Sequence, residues 1–169
     1  MAQKLYLIST GGTIEKVYSE TTGTVRNVDF KLDRYLQSLR LPDLDIDAVR
    51  LMNKDSLEMT DADRDLILAT IRAKLVGQAA PFVITHGTDT LVETGLHLKA
   101  SLPDLAVPVV LTGAMTPLGF ERSDGLQNLT ESLIAARILP AGVWLVMHNE
   151  VFPIDRVKKD RERAVFVSK

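Results

Sequence analysis

The sequence predicts an α/β fold: a doubly wound, mostly parallel sheet with helices on both faces. Three observations carry that expectation. Short apolar runs recur along the chain as continuous rather than alternating stretches, the pattern of strands covered on both faces. Longer amphipathic stretches separate them, and alternation of the two kinds marks parallel β-α-β units. Two blocks rich in glycine and threonine, Thr10-Gly11-Gly12-Thr13-Ile14 and Thr85-His86-Gly87-Thr88-Asp89-Thr90, stand directly after two of the runs. Open α/β sheets place their sites at such strand ends.

Leu5 to Ile8 is the first strand. Glu15 to Val28, rich in Ser, Thr and Gly with scattered charge and no clear period, reads as a long loop, and loops beyond about 12 residues in a compact domain are commonly lids. Asp33 falls in a helical stretch, and Ile46 to Met52 is the next strand. Thr60 can cap a helix with Asp63 as the acidic arm of a capping box. Ile67, Ile71 and Leu75 then share a face, and Gly77 supplies the stop. After the Phe82 to Ile84 strand, a helix beginning near Asp89 or Thr90 carries Leu91, Leu98 and Leu102 before Pro103. Val107 to Leu111 is a strand, and a helix from near Asp124 aligns Leu126, Leu129 and Leu133 before Pro140. Val143 to Met147 is the last apolar run, and the charged segment Arg156 to Arg163 reads as solvated.

A chain of 169 residues is expected to form one domain over 1–169 and to bury a core without staples. With no cysteine, disulfides, a zinc ribbon and a cysteine nucleophile are excluded, and a reducing cytoplasm is the expected setting. Twenty Lys and Arg against 22 Asp and Glu give a net charge of -2, with no basic face outside Arg156 to Arg163, so nucleic acid is not expected as a main partner. No secretory signal is visible, and no apolar stretch approaches the roughly 18 to 20 residues of a membrane span.

Two glycines at 11 and 12 let backbone approach a ligand closely, and Thr13 beside them offers a hydroxyl. A threonine nucleophile needs a neighbour to take its proton and donors to hold the oxyanion that forms. Standing alone, Gly11-Gly12-Thr13 would read as a tight turn. The second block adds the Thr88 hydroxyl and the Asp89 carboxylate at a helix start, where an acid is ordinarily a cap. Two such clusters at strand ends favour a site over a scaffold.

The two blocks, with Asp55-Ser56, Thr112-Gly113-Ala114-Met115 and Ser123-Asp124-Gly125 followed by Asn128-Leu129, resemble the bacterial-type L-asparaginases in order and approximate spacing along nearly the whole chain. The resemblance implies an amidohydrolase that converts L-asparagine to L-aspartate and ammonia through an acyl-enzyme, without metal or cofactor, and admits minor glutaminase activity. It implies Thr13 as nucleophile, with Thr88 positioning the water and Thr88, Asp89 and a downstream lysine forming a triad. Family accounts differ over which threonine attacks first. Asp89 would also hold the substrate ammonium, Ser56 with backbone near Gly87 its α-carboxylate, Gly12 would join the substrate-binding set, and Asp55 would stand where the family has a residue contacting the amine. The Ala114 backbone would lie near the leaving amide. The family's lysine is Lys158 or Lys159, and counting from the last apolar strand favours Lys159.

Two departures from the family stand out. Its lid tyrosine has no counterpart near Thr24 and Val25, so Tyr18 substitutes for it from a differently shaped loop or the lid works otherwise. The usual C-terminal domain is not in this sequence, so a more open site, weaker substrate affinity and completion by a homo-oligomer partner are expected. His86, His97 and His148 show no ligand spacing, so no metal is expected. Met52, Met59, Met115 and Met147 read as core fillers. Gly11-Gly12 lacks the third glycine and the acid of a dinucleotide site. The rival readings are a non-catalytic amino-acid-binding module and the amidase subunit of a tRNA-dependent amidotransferase.

Overall fold

A computed structural model describes residues 1–169. Along the chain the elements are β1 (Gln3–Gly11), β2 (Val17–Ser19), β3 (Thr24–Arg26), α1 (Leu32–Ser38), β4 (Leu44–Lys54), α2 (Asp61–Gly77), β5 (Phe82–Thr85), α3 (Leu91–Ser101), β6 (Pro108–Thr112), α4 (Gly125–Ile138), β7 (Gly142–Met147), β8 (Glu150–Pro153), β9 (Val157–Asp160) and β10 (Val165–Ser168). The central six-stranded sheet runs β4-β1-β5-β6-β7-β8. All neighbours in it are parallel except β8, which folds back antiparallel on β7. His148 and Asn149 make that reversal at φ 55° and 62°, the positive backbone angles that a tight right-twisted hairpin requires.

Continuous apolar runs are explained by the two faces they feed. On β1, Tyr6 and Ile8 join the core under α2 and α3 with Ile67, Ile71, Ile84 and Leu98, while Leu5 and Leu7 join the core under α1 and α4 with Leu32, Val83, Leu129 and Leu133. Side chains alternate across a strand, so a strand covered twice must be apolar at every position. The chain passes from β1 outward to β4, then returns to the other side of β1 with β5. That reversal leaves a crevice at the carboxyl ends of β1 and β5, where both glycine-threonine blocks stand.

The capping box at the head of α2 is fully formed. Asp63 N donates to Thr60 Oγ1 at 3.4 Å, and Thr60 N donates to the Asp63 carboxylate at 2.8 Å. Lys54 Nζ lies 2.7 Å from the same carboxylate; chiefly through that bond, and through the Thr60 N–H, the Asp63 carboxyl falls to about 2. A carboxyl held below its unfolded value adds stability above that value and loses it as pH falls through the folded one. Asp63→Asn is therefore expected to cost roughly 1 kcal/mol at pH 7. In denaturant unfolding the gap from wild type should be full above pH 3.8 and close as the pH approaches 2. Gly77 is the last helical residue of α2, and extended Gln78 forms the cap.

Two segments differ from expectation. Glu15 to Val28 is not a structureless loop: after a 3₁₀ turn over Thr13–Glu15, β2 and β3 form a hairpin pairing Val17 with Arg26, Tyr18 with Val25 and Ser19 with Thr24. Strands of three residues are too short to show a period, and in these Tyr18 and Val25 lie exposed beside Thr24 and Arg26. Their base is fixed by the buried Glu15 carboxylate, which accepts Ser9 Oγ at 2.9 Å and Lys31 N at 2.8 Å. Arg156 to Arg163 is not simply a solvated tail either, since β9 pairs antiparallel with β10 and is anchored by buried Val157 and Phe166.

Candidate active site

Glycines set the spacing of the site. Gly12 adopts φ 76°, ψ -173°, and a Cβ there would stand 2.3 Å from Gly87 N. A Cβ on Gly87 would meet Ser56 Oγ at 2.4 Å, and one on Gly113 would meet the His86 carbonyl at 2.4 Å. Four strand ends, those of β1, β4, β5 and β6, thus converge with no room for side chains between them. Gly12 N donates to Lys54 O at 2.8 Å, and Thr10 Oγ1 donates to Thr85 O at 2.7 Å, which locks the two blocks in register. Gly12→Ala should cost well over 1 kcal/mol and remove function with it, because backbone cannot swing aside and the φ is one that only glycine adopts freely. Gly87→Ala would bring its Cβ to 2.5 Å from Ser56 Cβ and 3.1 Å from Ser56 N, which rotation of the hydroxyl does not relieve, so it too should unfold at lower denaturant concentration than wild type.

Around this floor the polar groups are placed. Lys159 Nζ donates to Thr88 Oγ1 at 2.8 Å and to Asp89 Oδ1 at 2.9 Å. Chiefly through the Lys159 bond, and against the effect of partial burial, the Asp89 carboxyl lies below its ordinary range. Arg161 Nη1 reaches the same oxygen at 2.7 Å from the surface, a contact that the sequence does not foretell. Lys158, one position earlier, is exposed. Neighbours on a strand face opposite ways, so only one of the two lysines can turn inward.

Thr13 follows Gly12 at the start of the 3₁₀ turn, partly buried, and its hydroxyl makes no hydrogen bond within the chain. The backbone N–H groups of Gly87, Thr88 and Ala114 likewise have no acceptor in the chain. Asp55 accepts Leu57 N at 3.0 Å and Lys16 Nζ at 2.5 Å; burial pushes its carboxyl up, and these two donors more than offset that, leaving it below the ordinary value. Tyr18 sits on β2, 58 % exposed, with no hydrogen bond to the other residues named. The structure therefore joins Thr88, Asp89 and Lys159 directly, packs Gly12, Gly87 and Ser56 together, and leaves Tyr18 outside that contact network.

Two helix starts behave differently from simple caps. Thr90 turns its hydroxyl to Ser56 O at 2.8 Å instead of capping α3. Asp124 accepts Met115 N at 2.9 Å, Thr116 N at 2.9 Å, Asn128 Nδ2 at 2.9 Å and His148 Nε2 at 2.7 Å. Burial raises this carboxyl, but the Met115, Thr116 and His148 donors outweigh it and hold it low. Asn128 Nδ2 also donates to Gly113 O at 2.9 Å, so Asp124 and Asn128 grip both sides of wholly buried Ala114. Their spacing of four residues on a helix was the available sequence signal for a shared face.

A cleft of about 450 Å³ lined by Leu102, Leu105 and Trp144 lies at the opposite, amino ends of β6 and β7 and holds none of these groups. A groove of about 470 Å³ between the hairpin and the end of β4 is lined by Lys16, Arg26, Asn27, Asn53 and Asp55. No three His, Cys, Asp or Glu side chains are grouped to hold a metal ion, and no helix is long and apolar enough to cross a membrane.

Hydroxyls, an acid–lysine pair and open backbone amides thus stand together at the reversal point of a parallel sheet, which defines the class: an α/β domain with a polar crevice at its strand ends. The chain belongs to the asparaginase family, matching the model described as asparaginase, N-terminal, over residues 4–166. It is 34% identical over 164 residues to L-asparaginase 1 of Escherichia coli (strain K12), covering 93% of this chain and 47% of that protein. It is also 34% identical over 151 residues to a subunit of the glutamyl-tRNA(Gln) amidotransferase of Methanosphaera stadtmanae, covering 87% of this chain and 34% of that subunit. The solved thermostable L-asparaginase from Thermococcus kodakarensis superposes with a TM-score of 0.87 at 31% identity, over 98% of this chain and 51% of that one. The chain spans about half the length, or less, of these relatives.

Proposed function

We propose that the chain acts as one catalytic domain that hydrolyses the side-chain amide of L-asparagine to L-aspartate and ammonia. Thr13 Oγ attacks the amide carbon, its proton passes to the departing nitrogen, and ammonia leaves an ester on Thr13. Water positioned by Thr88 then attacks that ester and releases aspartate. Asp89, with Asp55 nearby, receives the substrate ammonium, Ser56 and the Gly12–Gly87 backbone its carboxylate, and the Ala114 backbone lies by the amide. Fixing both ends of a zwitterion before reaction is what saves orientational entropy in the transition state. The observation that carries the reading is Lys159 Nζ, within 2.9 Å of both Thr88 and Asp89 beside the Gly12–Gly87 contact. A threonine hydroxyl and backbone donors supply nucleophile and oxyanion hole, so the proposed reaction calls on no metal and no cofactor. A homo-oligomer in the cytoplasm is part of the same proposal.

The purified chain alone is expected to release ammonia from L-asparagine and, more slowly, from L-glutamine; one methylene discriminates by about 1 to 3 kcal/mol. Aspartate binding without ammonia release from asparagine would instead mark an amino-acid-binding module. Because one relative is an amidotransferase subunit, ammonia release that appears only with a partner subunit and tRNA would identify that role.

A further inference from the structure

His86 is fully buried inside the second block, and the reaction proposed above gives it no task. Burial chiefly, with some help from the Arg64 charge and against the pull of the Gly87 carbonyl, brings its ring to about 4, so it is neutral at neutral pH. A neutral imidazole carries one N–H and one bare nitrogen, and its neighbours decide which. Nδ1 lies 2.8 Å from the Gly87 carbonyl oxygen, which can only accept. Nδ1 therefore holds the proton, and Nε2 must accept. At 2.9 Å from Nε2 stands Thr94 Oγ1, which gives its hydroxyl proton to the ring and is left with lone pairs to fill. Arg64 Nε donates to that oxygen at 3.3 Å, and a guanidinium can do nothing but donate. Arg64 is itself held by Asp61 at 2.9 Å and Glu93 at 3.3 Å. Every link in the chain from Arg64 through Thr94 and His86 to Gly87 thus has one direction.

The Gly87 carbonyl and the Thr88 N–H belong to a single trans peptide and point opposite ways. With the carbonyl drawn inward by the ring, the Thr88 N–H is turned outward, and it has no acceptor in the chain. We infer that His86 is a positioning residue for the site: the Arg64–Thr94–His86 relay fixes the tautomer that pins the Gly87 carbonyl and so aims the Thr88 N–H at the bound substrate. The role in turnover rests on the proposed amidohydrolase reading; the tautomer does not.

Two measurements test it on the full chain. Nitrogen-15 spectra of histidine-labelled protein, with His86 assigned by comparison with His86→Gln, should show Nδ1 protonated and Nε2 bare at pH 7. The opposite tautomer, or an averaged one, overturns the relay whether or not the protein turns asparagine over. Thr94→Val keeps the side-chain shape and removes the hydroxyl. It should lower kcat for asparagine roughly tenfold to a hundredfold, short of the cost of deleting an oxyanion donor outright, with a smaller change in KM. Thr94→Ser should restore both the rate and the ring signal. A Thr94→Val enzyme with wild-type kcat overturns the positioning role. Should Thr94→Val fail to fold, Arg64→Met is read in the same way: a drop in kcat with a loosened tautomer supports the relay, and an unchanged pair of readouts overturns it.

Discussion

Thr13→Ala is expected to fold as wild type, to bind aspartate, and to release ammonia from asparagine more slowly by on the order of 10⁴-fold or greater, as when a nucleophile is removed from a catalytic unit. The fold should survive because the hydroxyl has no partner in the chain and the residue is only partly buried. Single-turnover measurement adds the order of events. If Thr13 forms the ester, Thr13→Ala gives no burst of ammonia, whereas Thr88→Val gives one equivalent and then stalls for want of a positioned water. A full burst from Thr13→Ala would show that Thr88 attacks first.

The second large effect is expected at Lys159. Lys159→Met keeps the length of the side chain and removes the donor held at 2.8 Å from Thr88 and 2.9 Å from Asp89, so kcat/KM should fall about 10²- to 10⁴-fold. Asp89 then keeps only the exposed Arg161. Losing the main cause of its lowered pKa, the Asp89 carboxyl moves up, and the acid limb of kcat/KM moves to higher pH, because the residue grips an ammonium only when ionised. Lys158→Met, on the exposed side of the same strand, should leave kcat/KM within about twofold, in the range of surface substitutions. Equal losses at 158 and 159 would contradict the assignment.

How far these residues could be read from sequence follows from how strongly each element advertises itself. Leu5 to Ile8 and Phe82 to Ile84 are apolar on both faces and reveal the parallel sheet at once. Thr60 and Asp63 spell a capping box whose bonds form as read. The ribbon Val157–Asp160 offers one apolar residue in four, and its partner strand is what makes it a strand, so its lysines look solvated until Phe166 is paired opposite Lys159. The short hairpin of β2 and β3 is hidden for the same reason. Lys16 on Asp55 and Arg161 on Asp89 are contacts across the fold, at 39 and 72 residues of separation, and carry no local signature. Helices begin beside Thr90 and Asp124 as expected, but tertiary partners draw both side chains away from the helix end.

Lys159 comes from a ribbon outside the six-stranded sheet, after the last of its strands. Synthesis runs from the amino terminus, so Gly12, Ser56, Gly87 and Ala114 all leave the ribosome before the amine that Thr88 and Asp89 require. Val157 and Phe166 tie the same ribbon into the core under α2 and α3, so inherited change there is confined to its outward positions, such as Lys158, and the amine stays tied to the packing beneath it.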